Sequence, residues 1–173
     1  DIAVISLCGI VVHDSIKIAG DEFDQSIVRY IKKEHNITIG DSTAEAVKRT
    51  IGCCYPPEET TFMDVKGRSL KNGLPASVKV SSTEMLDALA EPAMDIVNGV
   101  KGVLERTPPE LLGDIMKDGI LFTGGGSLLS GLDKLVTKHT GITVKIADDP
   151  VSCVANGTGE ALENLSSLIN SHL

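Results

Sequence analysis

The sequence predicts an α/β fold that carries an inserted α+β lobe. Three observations carry that expectation. Strand-like runs stand near both ends of the chain, at residues 2–8 and 11–18 and again at 120–122 and 142–147. Between them lie segments whose apolar residues recur every three or four positions, the period of an amphipathic helix. The order is two strands, two helices, a strand pair, then helix alternating with strand, which places an α+β unit inside an α/β chain.

Taken in order, IAVISL is strand-like from the second residue, with no start methionine, cap or lead-in, an abruptness expected of a piece of a longer chain. VVHDSIKI follows across Cys8 and Gly9, so the pair reads as a hairpin. GDEFDQSIVRYIKK opens the first helix. Gly20 punctuates it, Asp21 and Glu22 complement the positive end of its dipole, and Phe23, Ile27, Tyr30 and Ile31 share one face. DSTAEAVKRTIG makes the second helix, with Ala44, Val47, Lys48 and Ile51 at the helical repeat. CCYPPEE at 53–59 breaks the pattern. TTFMDVKG and LPASVKVS then read as two strands around a polar turn containing Lys71, Asn72 and Gly73.

Ser81 and Glu84 form a capping box ahead of a long helix that runs to about Arg106 despite Pro92. Thr107 and Glu110 are read as a second box, with proline at the first helical position. Ile120, Leu121 and Phe122 form a short buried strand, and Leu128, Leu129, Leu132 and Leu135 predict a helix over 128–138. The three glycines between them occupy the turn. Strand-like ITVKIA and a final helix through GTGEALENLSSLI complete the chain, with Gly157 and Gly159 expected to let that helix pack closely on the sheet.

With 173 residues and 42% apolar content, the chain is large enough for one sizeable domain or two small lobes with a real core. A net charge of -8 lacks the basic field with which a protein neutralises phosphates, so no nucleic-acid partner is expected. The cysteines, Cys8, Cys53, Cys54 and Cys153, form neither a zinc-binding pattern nor a disulfide framework, which fits a reducing cytosol. No apolar run approaches the roughly 20 residues that span a bilayer.

Three groups of residues are candidates for chemistry. Gly124, Gly125 and Gly126, followed by Ser127, let another group approach the backbone closely, or serve only as a tight connection. Glu45, Lys48 and Arg49 share a helix face, either as a solvated ion-pair ladder or as a ligand clamp. In the second case a lysine stem lies along a flat ring and a carboxylate accepts from ribose hydroxyls. Gly20 and Glu22 at a helix start serve either the helix itself or a base and sugar lying on the backbone. His13, His35, His139 and His172 are scattered singly, and neither a G-x-x-x-x-G-K-[ST] loop nor a G-x-S-x-G elbow is present, so no metal, triad or hydrolase site is expected.

Four stretches, in this order, resemble the C-terminal half of MreB-type bacterial actins, including the Mbl paralogue: CGIVVHDSIKIAGDEFD, AEAVKRTIG, LERTPPELLGDIMKDGILFTGGGSLLSGLDKL and DDPVSCVANGTGEAL. The similarity covers nearly all of the chain. It implies an actin-like ATPase domain of ribonuclease H-like fold, with residues 1–19 and 84–173 as subdomain IIA and residues 20–83 as the inserted subdomain IIB. It also implies that Gly124, Gly125 and Gly126 border adenosine, that Gly20 and Glu22 border the ribose, and that Glu45, Lys48 and Arg49 form the clamp on the inserted lobe.

The resemblance further implies a cytoplasmic cytoskeletal protein at the inner face of the cell membrane, one that polymerises with ATP or ADP and magnesium and directs cell-wall synthesis and rod shape. Its partners are other copies in protofilaments and the cytoplasmic domain of a cell-shape membrane protein. The family's first phosphate loop, its water-positioning acidic residue and its membrane-binding element belong to segments ahead of Asp1, so membrane contact is expected only through those parts. This chain alone is therefore expected to hydrolyse no ATP and to bind nucleotide with a dissociation constant of order 0.1–1 mM or weaker. The alternatives are a kinase-like phosphotransferase of the same superfamily, or a pure protein-interaction module. The Cys53–Cys54 pair and the Pro56–Pro57 segment carry no functional assignment, and the sequence leaves the paralogue open.

Overall fold

The computed structural model describes residues 1–7 and 9–163. β1 (Ile2–Ser6) and β2 (Gly9–Asp14) form an antiparallel hairpin. α1 (Gly20–His35), the short β3 (Ile37–Thr38) and α2 (Asp41–Ile51) follow, and then β4 (Phe62–Ser69) and β5 (Pro75–Ser81). β3, β4 and β5 make a three-stranded antiparallel sheet in that order. α3 (Ser82–Glu105) and α4 (Pro109–Asp118) lead to β6 (Ile120–Phe122), α5 (Leu132–Thr140), β7 (Val144–Ile146) and α6 (Cys153–Glu163). β6 and β7 pair in parallel, as a strand–helix–strand crossover requires.

The helical repeats decide where the core sits. Phe23, Ile27 and Ile31 of α1 are buried with Ala44, Val47 and Ile51 of α2, and both helices cover the β3–β5 sheet through Val65 and Val80. Met85, Leu89 and Ala93 of α3 join the same cluster, and Leu129 and Leu132 reach it from the far end of the chain. Farther along α3, Val97 and Val100 pack with Val136 of α5 in a second cluster. α3 is thus the shared wall of both clusters.

Several local expectations need correction. The second strand begins at Gly9 and stops at Asp14 rather than running through residues 11–18, because the Asp14 carboxylate accepts from the Ser15 N–H and from Arg106 at 2.6 Å. Thr107 does not form a capping box; its buried hydroxyl donates to the Val103 carbonyl, and Pro108 caps α4 with Pro109 at the first helical position. The helix read over 128–138 starts only at Leu132. Gly125–Leu128 forms a 3₁₀ turn instead, bounded by Gly124 at φ 79° and Gly131 at φ 78°. A Cβ on Gly131 would lie 2.6 Å from the Tyr55 Cβ, so both the sign of φ and the close approach demand glycine there. Gly157 and Gly159 do not pack α6 onto a sheet: both are exposed, with open space where a Cβ would stand. Cys8, His172 and the part of the last helix expected beyond Glu163 lie outside the described residues.

The capping box at the start of α3 is present and extends into a network. The Glu84 N–H donates to the Ser81 hydroxyl oxygen at 3.3 Å, and the Ser81 N–H donates to the Glu84 carboxylate at 2.8 Å. The other carboxylate oxygen lies 2.6 Å from Nε2 of His35, in the last turn of α1. Burial pushes the Glu84 carboxyl up, but the hydrogen bonds from Ser81 and His35, with the charge of His35, outweigh it and hold the group below its ordinary value of 4.5. A depressed folded value contributes stability that is present above the unfolded value and is lost as pH falls through the folded one. Glu84→Gln is therefore expected to cost about 1 kcal/mol at pH 7, with the deficit shrinking as pH falls below the ordinary value. Urea denaturation of both proteins at neutral pH and at roughly pH 3.5 checks it; a deficit equal at both would show that the charge contributes nothing.

Candidate functional site

Lys48 is the centre of the best-defined polar constellation. It projects from α2 on the side that faces α1, where its ammonium donates to the Gly20 carbonyl at 3.0 Å and to Oδ2 of Asp24 at 2.9 Å. Gly20 is the first residue of α1, and a Cβ there would meet the Lys48 Nζ at 3.4 Å. The apolar contact between α1 and α2 fixes this geometry, since Val47 and Ile51 enter the core and leave Lys48 at the rim with 16% of its side chain exposed. Gly20 and Lys48, 28 residues apart, are thereby brought into one place.

The other clamp candidates stand more openly. Glu22 pairs with Arg29 at 2.8 Å, and Glu45 and Arg49 approach only to 3.9 Å with most of both side chains exposed. Exposed pairs of this kind contribute little to stability, so their charges are available to a ligand. At Gly124, Gly125 and Gly126 an added Cβ would meet nothing within 4 Å, so this stretch of backbone faces open space. The Gly124 N–H donates to the Pro150 carbonyl at 2.6 Å, which anchors the turn to the segment after β7. Ser127 is buried, and its hydroxyl donates back to the Gly124 carbonyl at 2.7 Å, so its proton serves the turn.

Among the described residues, no hydrogen bond or ion pair joins the glycine turn to the Gly20 and Lys48 group. They are linked through the segment that follows α2. The Cys54 N–H donates to the Ser130 carbonyl at 2.8 Å, Cys53 bridges Ser130, and Tyr55 lies against Gly131. The exit of α2 and the exit of the glycine turn are thus tied to one another. Cys53 and Cys54 are buried free thiols; burial raises Cys53, and burial with the neighbouring Cys53 pushes Cys54 up to about 12. Neither is a poised nucleophile.

Sequence reasoning missed Asp24 and Ser130. The signal for Asp24 was an acidic residue beside Phe23 and Ile27 on the face of α1 that turns toward α2. Ser130 acts through its backbone, for which side-chain identity carries no signal. Among the described residues, no three His, Cys, Asp or Glu side chains converge as a metal site would require. The residues present do not by themselves fit magnesium.

An open groove of about 660 Å³ lies elsewhere, between β1 and β6, with Val100, Val103 and Leu104 of α3 among its apolar lining. β1 pairs only with β2 and β6 only with β7 among the described residues, so each strand keeps one free edge. None of the clamp residues lines this groove.

A crossover sheet unit carrying a glycine turn, joined to a lobe whose helix presents Lys48 to the start of another helix, defines an actin-like α/β protein. The chain belongs to the MreB/Mbl protein family, whose model matches residues 1–170. It is 46% identical over 163 residues to the cell shape-determining protein MreB of Escherichia coli K12, covering 94% of this chain and 47% of that protein. To the cell shape-determining protein Mbl of Bacillus cereus it is 46% identical over 168 residues, 97% of this chain and 50% of that one. Among solved structures, MreB5 of Spiroplasma citri bound to ADP superposes with a TM-score of 0.91 at 41% identity, over 97% of this chain and 51% of that chain. The same protein bound to AMPPNP superposes equally well. The chain spans about half the length of the curated relatives it matches. No helix of the described residues is long and apolar enough to cross a membrane.

Proposed function

We propose that this chain is the C-terminal half of a bacterial actin that assembles into nucleotide-dependent filaments and determines cell shape, and that it supplies the adenosine side of the nucleotide cleft. The observation that carries the reading is the Lys48 ammonium held 3.0 Å from the Gly20 carbonyl, because it unites two motifs that the family resemblance assigns to one nucleoside. Glu22, Glu45 and Arg49 flank that point, and Gly124, Gly125, Gly126 and Ser127 form the facing wall. A relative bound to ADP and AMPPNP supports nucleotide as the ligand. ATP or ADP with magnesium is the ligand of the longer protein, and the described residues of this chain would not hold the metal by themselves. Cell-shape relatives disfavour the kinase-like alternative.

Within this proposal, residues 1–19 and 84–173 form the sheet subdomain and residues 20–83 the inserted one, in keeping with separate β1–β2, β3–β5 and β6–β7 sheets. The partners are other copies of the protein and the cytoplasmic domain of a cell-shape membrane protein, at the inner face of the membrane. The test is a titration of the chain with ATP and with ADP, following backbone amides. Saturable shifts at residues 20–22, 45–49 and 124–127, with a dissociation constant of about 1 mM, are the expected result. Nucleotide in the millimolar range that leaves those amides unmoved would count against the adenosine site and leave an assembly and partner-binding domain.

A further inference from the structure

Asp24 is the only buried carboxylate among the described residues, 9% exposed. Its neighbours on α1 and α2 are core residues, and a buried ion pair is a weak source of stability compared with packed hydrocarbon. Its Oδ1 is buried without a hydrogen-bond partner, which is a cost that native proteins rarely leave unexplained. Its Oδ2 accepts from Lys48, whose ammonium sits at the positive end of the α1 dipole, where a cation is disfavoured. The carboxylate offsets both that field and the partial burial of the cation.

An ammonium has three N–H groups, and the Gly20 carbonyl and Asp24 take two of them. One remains, at a fixed place and within a pair whose net charge is zero. We propose that Asp24 is a positioning residue: it holds Lys48 so that its remaining N–H meets an uncharged acceptor of a nucleoside, and it cancels the charge that would otherwise draw phosphate to this end of the cleft. The inference rests on the nucleoside reading of the site and adds to it the cause of its selectivity. Asp24 itself need not touch the ligand.

The test compares adenosine with inorganic pyrophosphate as probes, read by amide shifts at residues 20–22 and 45–49 of the full 173-residue chain. Asp24→Asn is expected to weaken adenosine about tenfold, measured from the initial slope of the titration, and to tighten pyrophosphate, because the lysine charge is released. General damage to the fold weakens both probes, so opposite changes mark positioning. The double variant Asp24→Asn, Lys48→Met removes the ammonium without leaving a lone buried carboxylate, and should lose adenosine binding while gaining none for pyrophosphate.

If the double variant weakens adenosine while Asp24→Asn leaves both probes as in the wild type, the inference about Asp24 is overturned and the clamp reading stands. If the wild type shows no saturable adenosine shift, or the double variant binds as the wild type does, the clamp reading fails and takes this inference with it. Should Asp24→Asn not fold, Asp24→Glu keeps the charge but displaces it by one methylene, and is expected to weaken adenosine about threefold. Unchanged affinity in that variant overturns the proposal as well.

Discussion

Lys48→Ala is expected to lower stability by about 3 kcal/mol, a fall of roughly 10 °C in Tm, and at the same time to abolish measurable nucleoside binding. For the intact, longer protein, the sequence alone leads to the expectation that this substitution weakens nucleotide binding much more than it lowers thermal stability, a collapse in Tm marking Lys48 as mainly structural. The structure removes that dichotomy. Lys48 and Asp24 are 16% and 12% exposed at their side chains and 2.9 Å apart, so deleting the cation leaves a carboxylate buried without its counter-charge. Loss of stability and loss of ligand then come from one cause. Thermal denaturation with and without adenosine separates them: the net-neutral double variant Asp24→Asn, Lys48→Met should recover most of the Tm and none of the ligand-induced shift in Tm. A Lys48→Ala protein as stable as the wild type would mean that solvent reaches Asp24 and that the pair is not buried in solution.

Ile27→Ala is the second large effect, with an expected loss of about 3 kcal/mol. Ile27 is wholly buried on the face of α1 that shares a cluster with Val47 of α2 and with Met85 and Leu89 of α3, and these two helices cannot both collapse into the space of the missing side chain. Leu128→Ala offers the contrast. Leu128 is 60% exposed in the 3₁₀ turn, so its truncation should stay within about 0.5 kcal/mol of the wild type. Urea midpoints for both variants check the pair; comparable losses would mean that residues 125–128 pack as helix after all.

Leu128 also shows where sequence reading stops. Leu128, Leu129, Leu132 and Leu135 keep helical spacing, yet the α-helix begins only at the third of them. The cause is non-local: the Ser130 carbonyl is taken by the Cys54 N–H, and Gly131 adopts a positive φ against Tyr55, a residue 76 positions upstream. Periodicity cannot register a partner that distant. The first two helices were legible because Phe23, Ile27 and Ile31, and Ala44, Val47 and Ile51, each repeat on one face and find that face buried. The box read at Ser81 and Glu84 forms and the one read at Thr107 and Glu110 does not, although both have the same spacing. Thr107 lies two residues past the end of α3, where the Val103 carbonyl accepts from the Arg106 N–H at 3.2 Å and also from the Thr107 hydroxyl at 2.8 Å, which leaves no hydroxyl to cap α4.

The candidate site divides in the same way. Gly20, Glu45, Lys48 and Arg49 stand out as candidates by residue type and spacing. The contact that unites Gly20 with Lys48 depends on how α1 lies on α2, which spacing within either helix does not encode. Asp24 was passed over because an acidic residue near a helix start already has an explanation in the dipole, and only its burial against Lys48 separates the two accounts.

The free edges of β1 and β6 bear on every solution experiment with this chain. An unpaired strand edge accepts a strand from any source, including another molecule of the same protein, and the apolar lining between these two edges adds to the attraction. Pairing between copies depends on protein concentration, whereas occupancy by a ligand in excess does not. Dilution by about tenfold therefore distinguishes them: amide shifts that fade at residues 2–6 and 120–122 report copies meeting edge to edge, and shifts that persist at residues 20–22 and 45–49 report the ligand.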